Sequence, residues 1–434
     1  MRRSAALGAV ALVCALLAPA RVPAAAELPT TGALPHGGTY VLYRDPTLAT
    51  AAIDLWFRAP GAGYDGANPG IARLAATAVA AAPLASGTTL VALVRSLGGH
   101  LAIQAFPDMI GVSVVVPSDA ARRVVAAMSA AYFDPALDAD ALKIAQSDVT
   151  VLAAQRRYLA DSLAHDALFA QIFSAGPAHE PPLPDTAGAL ARLPLADVEA
   201  FARRAFRSAN ATLSLAGDVA PTALDAVTAG TPGAPDAPLD STLAADPHAN
   251  ATLAANVPGA GLAWVGPPIR DERAATALDF VADYLFRDGS GVVAKALDAS
   301  DDPAYVSGQF ITLHDPGVFL VTLSGDDVSV ARTRVLEAIR ALQHPLDAAT
   351  FARAREAFLF HLASDTQYAS EQADNLGWYA TEGNAAYAPS AMQSTYWQTA
   401  RGLDPAFVAS VVQRYLAHPV AVQLTTATAK ESTT

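Results

Sequence analysis

The chain states the same order of elements twice, and this repetition constrains its fold more than any other feature. In the first half, extended runs at 39–43 and 51–58 precede helices at 70–82 and 88–97. Pro69 opens the first helix and Gly98-Gly99 ends the second, the positions these residues favour. Strands at 100–106 and 110–116 meet at a turn holding Pro107 and Asp108; helices at 118–132 and 138–173 and a strand at 211–216 follow. The second half restates the order. It has strand 261–265, helices 271–286 and 292–297, and a strand pair 305–313 and 317–324 around Asp315-Pro316. Helices at 328–343, 347–364, 370–381, 390–399 and 404–417 lead to strand 420–426. A repeat of about 200 residues is a duplicated domain, whereas solenoid periods are about 20–50. The expected fold is α+β: two tandem homologous domains, 27–220 and 257–434, each an antiparallel sheet with helices packed on one face. Residues 221–256, rich in Ala, Pro, Gly, Thr and Asp, read as a linker.

Residues 1–26 read as a secretory signal: Arg2 and Arg3, an apolar run from Ala5 to Ala18, then small residues allowing cleavage after Ala26 or Ala20. The expected location is therefore outside the cytoplasm, in a periplasm or secreted. Cys14, the single cysteine, lies inside that run, so the mature chain would carry no thiolate ligand or nucleophile. No later stretch offers the roughly 18 uninterrupted apolar residues of a stable membrane span. The net charge of −13, without any basic run, argues against nucleic acid.

Several motifs fail on their context. Gly61-Ala62-Gly63-Tyr64-Asp65-Gly66 fits GxGxxG, but no acidic residue stands about 20 positions on, and Asn68-Pro69 interrupts the helix start. Ser290, in Asp-Gly-Ser-Gly, lacks the flanks of a nucleophile elbow. None of the nine histidines forms H-x-x-E-H, H-x-x-x-H or H-x-H, and no zinc-ligand set emerges.

The order of Leu55–Arg58, Gly61-Ala62-Gly63-Tyr64-Asp65, Pro69-Gly70-Ile71-Ala72, Gly87-Thr88, Leu97-Gly98-Gly99, Asp134-Pro135 and Leu213–Asp218 resembles the insulinase/pitrilysin family of zinc metallopeptidases, processing-peptidase type. The likeness spans nearly all of 36–426. It implies a helix bearing H-x-x-E-H after Ala72. Here Arg73 stands at the first ligand histidine, Ala76 at the general-base glutamate and Thr77 at the second histidine. The third ligand, a glutamate, falls in the window Leu152-Ala153-Ala154, with Ala154 the best match. Alanine neither binds zinc nor accepts a proton, and a guanidinium repels the metal. In the second half the resemblance aligns Tyr305 with a substrate-holding tyrosine, and Asp298 with its companion arginine; a carboxylate there opposes an oxyanion. The plain alternative for Tyr305 is a buried strand aromatic.

The residues thus lean against an enzyme, with no metal and no cofactor of its own. The resemblance implies a catalytically inactive subunit that pairs with a homologous zinc-bearing chain, or with itself, around a peptide-binding chamber. Leu101, Ala102, Ile103, Gln104, Ala105 and Phe106 would pair with an extended peptide, which requires only backbone. The alternative is a stand-alone exported peptide-binding or assembly protein.

Overall fold

The computed structural model describes residues 28–58, 68–179, 181–237, 239–246, 250–299, 303–390 and 394–426. The signal-like segment and the Gly61–Gly66 turn lie outside these residues. The first half holds a six-stranded sheet from β1 (Thr30–Ala33), β2 (Thr39–Arg44), β3 (Thr50–Phe57), β4 (His100–Ala105), β5 (Ile110–Pro117) and β7 (Ala211–Gly217), in the order β1-β2-β7-β3-β5-β4. The short β6 (Phe173–Ala175) pairs with β8 (Thr242–Leu243). The second half builds a five-stranded sheet from β9 (Asn250–Ala255), β10 (Gly259–Val265), β11 (Tyr305–Ile311), β12 (Val318–Ser324) and β13 (Val420–Thr426), in the order β11-β12-β10-β13-β9. Read from one edge, β2-β7-β3-β5-β4 and β9-β13-β10-β12-β11 are the same arrangement.

The α+β class with two repeated halves holds, and three details differ from expectation. The sheets are mixed, because β2 runs parallel to β7 and β9 parallel to β13. Residues 250–255, read as linker, form β9, the counterpart of β2. Each sheet also carries helices on both faces.

The third difference follows from side-chain alternation along a strand. On β3, Ile53, Leu55 and Phe57 join the core under the first half's own helices, while Ala52 and Ala216 pack against Ala369 and Ala373. These two alanines belong to the second-half helix Ala369–Thr381. Conversely, Leu262, Trp264 and Phe319 face the helices of their own half, while Ala263, Leu320 and Val422 cover Ala164 and Leu168. Those lie on the first-half helix Ala160–Ile172. Each half therefore lends one helix to the back of the other's sheet. Strands covered on both faces are apolar at nearly every position rather than alternately.

The remaining helices follow their caps. Asp138, Asp347 and Asp404 accept first-turn amides of helices Ala139–Arg156, Ala348–Asp365 and Pro405–Tyr415. Ser118 instead opens a 3-10 turn before helix Ala121–Phe133. Helices Leu183–Leu190 and Leu195–Ala205 occupy a stretch where the sequence signalled none. The helix read at 390–399 runs Thr395–Arg401.

Candidate functional site

Gly70 has φ +89 and caps the helix Ile71–Ala81. A Cβ there would lie 2.8 Å from Leu190, and the positive φ favours glycine. The helix buries Ala72, Ala75, Ala76, Ala78 and Ala80, small side chains that let neighbours approach closely. It carries three of the four replaced positions. Arg73 is half-buried, and its Nη1 donates to the Ile103 carbonyl at 3.0 Å. Thr77 Oγ1 donates to the Arg73 carbonyl at 2.9 Å. Ala76 is fully buried, and the Tyr132 hydroxyl donates to its carbonyl at 2.9 Å. Burial pushes the Tyr132 phenol up, so it stays a donor.

Arg73 and Thr77 line a cavity of about 460 Å³ together with Leu101 and Ile103 of β4 and with Ile144, Asp148, Val149 and Leu152 of helix Ala139–Arg156. Ala154 does not line this cavity; it is exposed, and Leu152 presents the third wall. A guanidinium, a hydroxyl bonded to its own helix and a leucine do not fit zinc. Among the described residues no group of three or more His, Cys, Asp or Glu could hold a metal ion.

β4 is an edge of the first sheet. Alternation sends Leu101 and Ile103 to the Arg73 cavity. His100, Ala102 and Gln104 turn to a cavity of about 420 Å³ on the opposite face, beside Asp54, Glu371 and Asp374. Ala105 is half-buried at the strand's end. Phe106 lies beyond β4. Its ring stacks on Trp56 at 5.6 Å and meets Trp378 edge-on at 4.8 Å, joining the two halves. The expected peptide-pairing strand therefore ends at Ala105.

The acidic groups behind β4 were absent from the sequence reading. Burial, then the neighbouring Asp374, holds the Asp54 carboxyl well above its ordinary range. Burial, then Glu371, pushes Asp374 up to about 6. A further cavity of about 480 Å³ between the halves is lined by Phe106, Trp378, Asp374 and Asp279. Asp279 is pushed up to about 7, chiefly by burial, although Tyr396 donates to its Oδ2 at 2.8 Å. An aspartate inside an apolar run, such as Asp54 between Ile53 and Leu55, was the available signal.

Tyr305 starts the edge strand β11 and is 54% exposed, so it is not a buried strand aromatic. Asp298 ends the helix Val292–Asp298 and is exposed. Neither lines the Arg73 cavity, whose described wall comes wholly from residues 73–152. Among the described residues no helix is long and apolar enough to cross a membrane.

A family model described as the peptidase M16 inactive domain matches residues 192–358. No curated protein matches the chain. The solved structure of a peptidase M16 inactive domain from Pseudomonas fluorescens is 18% identical, with a TM-score of 0.76 over 93% of this chain and 99% of that one. A protease from Helicobacter pylori is 16% identical, with a TM-score of 0.79 over 92% and 100%. A chain of complex III2 from Candida albicans is 14% identical, with a TM-score of 0.73 over 91% and 95%. At these identities the solved structures speak for the fold.

Proposed function

Given that this chain is an insulinase-family (M16) homologue, we propose that it is a non-catalytic subunit of an exported peptidase, pairing with a homologous chain that carries the zinc. Together the two enclose a chamber in which β4 offers its open edge to an extended peptide. One observation carries the reading: the Arg73 guanidinium, at the position of the first metal ligand, is bonded to the Ile103 carbonyl of that edge strand. The scaffold is kept while the chemistry is replaced. The complex III2 likeness supports membership of an assembly, since that chain is itself part of a complex.

The test is the native mass of the chain purified from its own host. A roughly equimolar complex with a different chain of similar size, itself bearing H-x-x-E-H, is the expected result. A monomer or homodimer without such a chain turns the reading to a stand-alone exported binding protein. Stoichiometric zinc in the unaltered chain alone overturns the non-catalytic assignment.

A further inference from the structure

The cavity of about 480 Å³ at the seam combines aromatic walls with acidic groups. Phe106, Phe310, Trp378 and Tyr379 line it, and two carboxyls from different helices stand among these rings: Asp279 of helix Glu272–Phe286 and Asp374 of helix Ala369–Thr381. We propose that this cavity binds an organic cation, an alkylated ammonium group, with the rings around its alkyl shell and Asp374 as its counter-charge. The site makes no use of the β4 edge, so it is tested apart from the peptide reading.

The surroundings of Asp374 carry the inference. Asp374 stands four residues before Trp378, so the two are neighbours on one helix face. Its carboxyl is half-buried, yet among the described residues nothing donates a hydrogen bond to it and no cation pairs with it. The charged groups that act on it, Glu371 and Asp54, are themselves acidic. A carboxylate taken out of water needs a partner of opposite charge, and this one has none from its own chain.

The rings select the kind of partner. Trp378 Nε1 donates to the Thr312 carbonyl at 3.0 Å, so the indole offers π surface to the cavity instead of a donor. Phe106 and Phe310 carry no polar atom at all. Such rings attract a cation through their negative faces and pack against its alkyl groups. An anion placed here meets two carboxyls. His165, the basic group on the wall, turns its Nδ1 to Asp166 at 3.2 Å. A small molecule and a lysine side chain can both bring an ammonium group on an alkyl stem, and the experiment separates them.

The probe is choline, set against 3,3-dimethyl-1-butanol, which has the same shape with carbon in place of nitrogen. Both are titrated calorimetrically into the full chain at pH 7.5, above the values of about 6 and about 7 to which burial raises Asp374 and Asp279. Choline is expected to bind saturably and at least about tenfold more tightly than the alcohol, as a desolvated cation–π site requires. Asp374→Asn keeps the shape and removes the charge, and is expected to abolish the preference. Trp378→Leu is expected to weaken choline several-fold with Asp374 in place. If Trp378→Leu does not fold, judged by circular dichroism, Asp374→Asn still decides. Equal binding of the two probes, binding of neither, or a preference for choline that survives Asp374→Asn overturns the site. A heptapeptide with a central lysine, and its norleucine counterpart, are then competed against bound choline. Displacement by the lysine form alone places the cation on a peptide, and displacement by neither assigns the cavity to a small molecule; both results uphold the site.

Discussion

A leucine at 152 and an alanine at 154 separate two placements of the third ligand position that the family resemblance implies. Ile144, Asp148 and Leu152 are spaced by four and line one cavity wall, whereas Ala154 lies about 200° round the helix from Leu152. Spacing along the chain had favoured Ala154; helical direction favours Leu152. This gives a direct prediction. The triple variant Arg73→His, Thr77→His, Leu152→Glu is expected to retain stoichiometric zinc through gel filtration, measured by plasma emission. The variant with Ala154→Glu in place of the leucine change is expected to retain none. Equal retention by both would show that the wall does not select the third ligand. Neither variant is expected to cleave peptides, because Ala76 leaves the general base absent.

The two exchanged helices depend on small residues at their crossings. Gly377, on helix Ala369–Thr381, lies over β3 and β7: a Cβ there would collide with the indole of Trp56 and lie 3.0 Å from Ser214 Cβ. The contact is sealed by the Ser214 hydroxyl, which donates to the Ala373 carbonyl at 2.7 Å. At the reciprocal crossing, a Cβ on Gly261 would come within 2.6 Å of Leu168 and 3.0 Å of Ala164. Gly377→Ala is expected to destabilise the chain by about 1–3 kcal/mol, the usual cost of overpacking a tight core, read from urea unfolding. An unchanged midpoint would mean that the helix can lift from the sheet without loss. These crossings also explain what the sequence concealed. The repeat was legible because each half carries the same strand pair, helices and closing strand. The swap was not, because an apolar run such as Ala51–Phe57 records that both faces are covered, but not by which helix. β9 was hidden for a different reason. Its sequence, Asn-Ala-Thr-Leu-Ala-Ala, has Thr252 alone among the β-branched and aromatic residues that favour strands, although the counterpart of β2 was due in that region. The replaced ligand positions Arg73 and Thr77 and the general-base position Ala76 were legible because the motif of the resembled family fixes their spacing. Asp54 and Asp374 were not, since they stand 320 positions apart and meet only through the exchanged helix.

At the seam between the halves, the chain buries carboxyl groups that burial favours in their neutral, protonated form. Glu382, just past the end of helix Ala369–Thr381, is 2% exposed and lies against the buried Asp108 of the β4–β5 turn. Burial, then Asp108, raises the Glu382 carboxyl well above its ordinary range, with Arg58 pulling in the opposite sense. Asp108 is itself raised by burial; Glu382, Arg58 and His314 all offset part of that rise. Glu382 is therefore the protonated member, donating to Asp108. Asp279 is raised from 3.8 to about 7 and Asp374 from 3.8 to about 6 in the same seam. For each of these acids the folded state binds its proton more tightly than the unfolded chain. Their contribution is complete below the unfolded values and is lost as pH rises toward the folded ones. The melting temperature is thus expected to fall between about pH 4 and pH 7, the interval set by Asp279. Glu382→Gln supplies a neutral donor to Asp108 at every pH. It is expected to melt close to the unaltered chain at pH 5 and several degrees higher at pH 8, in paired thermal scans by circular dichroism. A variant that melts lower than the parent at both pH values would show that Glu382 acts through its negative charge, as a partner of Arg58, and that the seam is held by an ion pair instead of a shared proton.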